Sequence, residues 1–118
     1  MDLGVKNKVA LVAGGSMGLG KAVAMRLSGE GAKVAIGSLD DAYLPAAAEE
    51  IRRATGGEVL AIPADVTDLE QAKQFVRRAV EHFGTVDILV NNAGGPPSTN
   101  FLEIDDTLWE YGFRLNLM

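Results

Sequence analysis

Three glycines spaced Gly14-x-x-x-Gly18-x-Gly20 stand between the apolar run Val9-Ala-Leu-Val-Ala13 and a stretch that resumes at helical spacing. Glycine allows a backbone path that side chains would block. The amides of Met17 to Gly20 are then free to face an anion, and a helix start favours negative charge by roughly 0.3 to 2 kcal/mol. A pyrophosphate is the natural ligand of such a turn. Further polar clusters follow at Asp65-Val66, at Asn91-Asn92-Ala93-Gly94 and at Asn116. Asp65-Val66-Thr67-Asp68 also reads as a turn and helix cap, with Thr67 or Asp68 as the capping residue. Asn91 and Asn92 also read as turn formers, with Asn91 stabilising the sheet. The only histidine, His82, precedes Gly84 near a helix end, where a dipole contact or plain exposure accounts for it better than catalysis.

A second chemistry fits part of the same turn. Gly15-Ser-Met-Gly-Leu-Gly20-Lys21 satisfies most of the phosphate-loop pattern G-x-x-x-x-G-K-S/T of nucleotide hydrolases. Ala22 decides against it, because that position must offer a hydroxyl to magnesium, and Pro63 interrupts the apolar run ahead of Asp65. A third reading, a non-catalytic nucleotide-binding or assembly module, stays open.

The elements that must position these groups alternate. An apolar run without polar alternation suits a parallel strand buried on both faces. Ala22, Val23, Met25, Arg26 and Leu27 continue at helical spacing until Gly29 and Gly31, and residues 32–38 form a second strand. Residues 43–54 form a helix with Leu44, Ala47, Ala48 and Ile51 on one face, and 58–63 a third strand. Ala72, Phe75, Val76, Ala79, Val80 and Phe83 recur with a period near 3.6 and mark the next buried helix face. Residues 86–90 are a fourth strand, followed by the turn-rich 91–97 and a final helix over 105–118 whose Leu108, Tyr111, Leu115 and Met118 share a face. This alternation predicts an α/β fold, a doubly wound parallel sheet with helices on both faces and right-handed crossovers, in one domain over 1–118.

Composition narrows the function classes. The formal charge of −5 comes from 16 acidic and 11 basic residues scattered along the chain, which argues against a nucleic-acid partner. With no cysteine, disulfides and thiolate metal sites are excluded, and a reducing cytoplasm is the expected compartment. No apolar stretch approaches membrane-spanning length, so no membrane partner is expected, and no metal site is read.

Taken together, Gly14-Gly-Ser-Met-Gly-Leu-Gly20, Asp65-Val66, Asn91-Asn92-Ala93-Gly94 and Leu115-Asn116-Leu117 resemble the amino-terminal half of a classical short-chain dehydrogenase/reductase. The resemblance covers essentially the whole chain and implies a Rossmann-like sheet that holds NAD or NADP across its strand ends. It implies that Gly14, Gly18 and Gly20 form the pyrophosphate turn, with Ser16 and Leu19 in contact nearby. Asp65 accepts from the adenine amino group while the Val66 amide donates to the ring; Asn92, Ala93 and Gly94 line the ribose and nicotinamide through their backbone. Asn116 is the helix asparagine that helps to hold a water beside the family's catalytic lysine. NAD users of the family usually carry Asp at the position of Ser38, and NADP users Arg at Leu39 or a basic residue at Met17. None of these is present, and Asp40 stands two residues, about 6.5 Å, further along the strand. The lack of a basic clamp favours NAD slightly.

The resemblance also implies a serine and a Tyr-x-x-x-Lys pair beyond Asn116 that move the proton and polarise the carbonyl. Tyr43 and Tyr111 are followed four positions later by Ala47 and Leu115, so neither forms that pair. The 118 residues are expected to supply the cofactor-binding half of an oxidoreductase acting on a carbonyl or secondary alcohol, and not to turn over substrate alone. Relative to the full family fold the sheet is incomplete and its fourth strand becomes an edge. A longer enzyme, or a second half from another chain, accounts for this, and a homo-oligomer with 105–118 as a contact face is expected.

Overall fold

The computed structural model describes residues 3–16, 18–39 and 42–92. Their order is β1 (Val9–Ala13), α1 (Gly18–Gly29), β2 (Lys33–Ser38), α2 (Leu44–Thr55), β3 (Val59–Pro63), α3 (Leu69–Phe83) and β4 (Ile88–Val90). The strands form one parallel sheet in the order β3-β2-β1-β4, with Leu11 of β1 opposite Ala35 on one side and Leu89 on the other. The predicted helix over 105–118, with Asn116, lies outside the described residues, as do Met17, Ala93 and Gly94.

Two cores explain why β1 and most of β2 are apolar without alternation. Ala10, Val12, Val34 and Ile36 face α1 and α2, packing against Ala24, Leu44, Ala47, Ala48 and Ile51. Leu11, Ala13, Ala35, Ile62 and Ala64 point to the opposite face, under Phe75 and Ala79 of α3. The sheet is thus doubly wound, as the alternation of elements predicts. Helix α1 buries only the small residues Gly20, Ala24 and Ser28, at four-residue spacing, and so lies close to the sheet.

The boundaries differ from the sequence pattern where side chains intervene. The fourth strand starts at Ile88 rather than at residue 86, because Asp87 caps the start of β1. Its carboxylate accepts from the Val9 amide at 2.9 Å, and its own amide donates to the Val9 carbonyl at 2.9 Å. Of the two candidate caps of α3, Asp68 takes the role, accepting from the amides of Glu70 and Gln71 at 2.9 and 3.2 Å. Val76 and Val80, assigned by their periodicity to the buried face, are 44% and 39% exposed. Helix α3 seats on the sheet through Phe75 and Ala79, and no described element covers the flank that carries the two valines. Strand β4 is an edge among the described residues, with Leu89 56% exposed.

Candidate functional site: the rim at the strand ends

Because all four strands run parallel, their carboxyl ends share one rim, and the chain leaves β1 there through the glycine turn. Gly14 has φ +65°, and a Cβ on it would stand 2.7 Å from Asn92 Nδ2 and 2.9 Å from the Asn92 carbonyl oxygen. At Gly20, in the first turn of α1, a Cβ would press on the Gly14 carbonyl, 2.7 Å from its carbon, and stand 2.8 Å from Asn92 Nδ2. Only hydrogen fits at either position. The first-turn amides of a helix have no partner within it, so those of α1 open onto this rim. Gly18 turns through φ +61° with nothing within 4 Å of where its Cβ would be.

The turn is tied from both sides. The Gly15 amide donates to the Gly37 carbonyl at 3.1 Å, and the buried Ser16 hydroxyl donates to Ser38 Oγ at 3.0 Å. From the other flank Asn92 Nδ2 reaches the Gly14 carbonyl at 3.4 Å, a long contact. The side-chain contact to the turn thus comes from Asn92, and its neighbour Asn91 is exposed.

The third part of the rim follows β3. The Ala64 amide donates to the Ser38 carbonyl at 3.0 Å, which sets Asp65 beside the end of β2. One carboxylate oxygen, Asp65 Oδ1, accepts from the Thr67 amide at 2.9 Å and from Thr67 Oγ1 at 2.6 Å. The Asp65 amide donates to Gln71 Oε1 at 2.8 Å. Asp65 Oδ2 and the Val66 N–H have no hydrogen-bond partner among the described residues, which leaves an acceptor and a donor on consecutive residues. Leu19, Leu39 and Tyr43 are exposed apolar or aromatic side chains on the segments leaving β1 and β2, and Val66 is half-buried.

Gly14, Ser16, Gly18, Leu19, Gly20, Ser38, Leu39, Asp65, Val66 and Asn92 thus all lie on the segments that leave the carboxyl ends of the strands. Lys21, in the first turn of α1, forms an exposed ion pair with Glu50 of α2. Thr67 and Gln71, which fix Asp65, carried a sequence signal only as turn and cap residues. Among the described residues no group of three His, Cys, Asp or Glu could hold a metal, and no helix is long and apolar enough to cross a membrane.

Residues 8–118 match the short chain dehydrogenase family. The chain is 40% identical over 114 residues to the 3-oxoacyl-(acyl-carrier-protein) reductase of Staphylococcus epidermidis, covering 94% of this chain and 46% of that protein. It is 42% identical over 107 residues to the L-rhamnose 1-dehydrogenase (NAD(P)(+)) of Azotobacter vinelandii, covering 87% of this chain and 41% of that one. Among solved structures it superposes on L-sorbose reductase from Gluconobacter frateurii, complexed with NADPH and L-sorbose. The TM-score is 0.89 and the identity 34%, over 100% of this chain and 45% of that one. The chain spans less than half the length of each of these proteins.

Proposed function

The chain belongs to the short-chain dehydrogenase family of oxidoreductases, and from that premise we propose that these 118 residues supply its dinucleotide-binding half. The complete enzyme passes hydride between a nicotinamide and a carbonyl or secondary alcohol. The observation that carries this reading is the rim itself. A glycine turn that excludes every side chain at Gly14 and Gly20 shares the rim with an acceptor and a donor, at Asp65 and Val66, that have no partner among the described residues.

The residues fit the group. The pyrophosphate lies against the first-turn amides of α1, where the dipole favours it. Adenine offers an N–H donor at its exocyclic amine next to an acceptor at N1, the complement of the Asp65 carboxylate and the Val66 amide. Leu39 and Val66 supply apolar surface for the ring. Ser38, at the end of β2, meets the adenosine ribose, and Asn92, Ala93 and Gly94 line the path to the nicotinamide. Bound there, the nicotinamide supplies or takes the hydride; the protein residues named hold it in place and leave the proton transfer to groups elsewhere, Asn116 holding a water for them. The described rim carries no basic side chain for a 2′-phosphate, which favours NAD. That L-sorbose reductase is complexed with NADPH supports a nicotinamide dinucleotide as the cofactor. The protein works as a cytoplasmic homo-oligomer in which 105–118 contributes a contact face.

Titrating the chain with NADH and with NADPH, followed by nicotinamide fluorescence, tests the reading. Saturable binding, tighter for NADH, is expected, with no turnover of carbonyl substrates by the 118 residues alone. Magnesium-dependent ATP or GTP binding without dinucleotide binding would overturn it.

A further inference from the structure

We infer that Arg52 and Pro63 close the free edge of β3 against strand addition by a second copy of this chain. The inference is independent of the cofactor reading. Strand β3 ends the order β3-β2-β1-β4, so one side of its backbone has no strand beside it among the described residues. Along a parallel strand, successive residues turn their amide and carbonyl groups to opposite sides. The Val34 amide donates to the Glu58 carbonyl at 3.0 Å, and the Ala64 amide to the Ser38 carbonyl at 3.0 Å. Residues 58, 60, 62 and 64 therefore pair with β2, and Val59, Ala61 and Pro63 turn their backbone groups outward. Such a row is a template for another strand. Two copies of one edge are self-complementary about a twofold axis, which makes a second copy of the chain the occupant to be excluded.

Both ends of the row are blocked. Gly56, left-handed at φ +71°, ends α2 by donating to the Arg52 carbonyl at 2.8 Å, and the chain turns back at once into β3. The Arg52 guanidinium thereby reaches a strand residue seven positions on. Its Nε donates to the Val59 carbonyl at 3.1 Å and its Nη2 to the same oxygen at 2.5 Å. Glu49 Oε2, 3.6 Å from Nη1, holds the fork from α2 as well. A carbonyl that already accepts twice has no lone pair left for an incoming amide. At the other end Pro63 has no N–H to give. Of the three outward residues only Ala61 keeps both a donor and an acceptor for pairing, and one residue is too short a ladder to hold a strand.

Sedimentation equilibrium of the full chain, together with amide hydrogen exchange at Ala61, tests this. Arg52→Met combined with Pro63→Val frees the Val59 carbonyl and supplies the missing donor. Self-association should then tighten by about tenfold or more, equivalent to about 1.4 kcal/mol. At associating concentrations the Ala61 amide should exchange at least about tenfold more slowly than in the unaltered chain. Pro63→Val alone should tighten association by about threefold, and it decides the matter if circular dichroism shows that Arg52→Met does not fold. Arg52→Lys in place of Arg52→Met keeps a donor within reach of Val59 and should return the double variant to that smaller effect. Arg53→Met, whose partner is Glu49, should change neither readout. An arginine that merely pins α2 to β3 would lower the urea midpoint when replaced and leave association unchanged, which overturns the inference. Tighter association without slower exchange at Ala61 runs through another surface and overturns it too.

Discussion

Replacing Gly20 by Ala puts the glycine turn to its hardest test. The new methyl would stand 2.7 Å from the Gly14 carbonyl carbon and 2.8 Å from Asn92 Nδ2, against 3.4 Å for the start of ordinary contact. Backbone on one side and a tied side chain on the other must therefore retreat by at least about 0.6 to 0.7 Å. Overpacking of this kind costs about 1 to 3 kcal/mol. Losing the long Asn92–Gly14 contact adds no more than about 0.5 kcal/mol. Alanine returns about 0.8 to 1 kcal/mol of helix propensity, so a net loss of up to about 2.7 kcal/mol is expected. Urea unfolding followed by far-UV circular dichroism measures it. Binding should suffer more than stability, because the retreat moves the amides that face the pyrophosphate; NADH affinity should fall at least about tenfold, or 1.4 kcal/mol. Gly29→Ala at the far end of the same helix is the control. Its Cβ meets only Thr55 Cγ2 at 3.9 Å, and it should be neutral or stabilising by up to about 1 kcal/mol without touching affinity. A Gly20→Ala chain as stable as the original, with unchanged NADH affinity, would refute the close-approach argument.

Ser38→Asp should leave NADH binding within about threefold while lowering NADPH affinity at least about tenfold, because a carboxylate there repels a 2′-phosphate and still accepts from Ser16; paired titrations check it. Phe75→Ala should cost about 3 to 5 kcal/mol in urea unfolding, since its ring fills the space over Gly37, where a Cβ would come within 2.6 Å of two ring carbons. Lys21→Met should change stability by less than about 1 kcal/mol and leave both dinucleotide affinities unaltered, because its side chain is engaged by Glu50 of α2 in an exposed ion pair.

Much of this fold was legible because the local signals agree. The unbroken apolar run of β1 demands a partner on each side of the sheet, and the structure supplies α1 and α2 on one face and α3 on the other. The glycines, Asp65-Val66 and Asn91-Asn92 each follow a strand, so a parallel sheet necessarily carries them to one rim. The ties that shape the rim are long-range and left no periodic trace. Ser16 meets Ser38 across 22 positions, and Asn92 meets Gly14 across 78. Asp87 looked like part of an apolar strand and instead caps β1, which shortens β4 to three residues. The exposure of Val76 and Val80 was equally hidden, because a helix period marks which residues share a face but not how much of that face a neighbour covers.

The central claim is that a nicotinamide dinucleotide binds at the strand-end rim. Amide chemical shifts of the isotope-labelled chain, followed through an NADH titration, test it most directly. The account predicts saturable shifts at Gly18, Leu19, Gly20 and Val66, with Glu49 and Arg53 on the outer face of α2 unmoved. Saturable binding that shifts α2 and leaves the glycine turn and Val66 in place would contradict it.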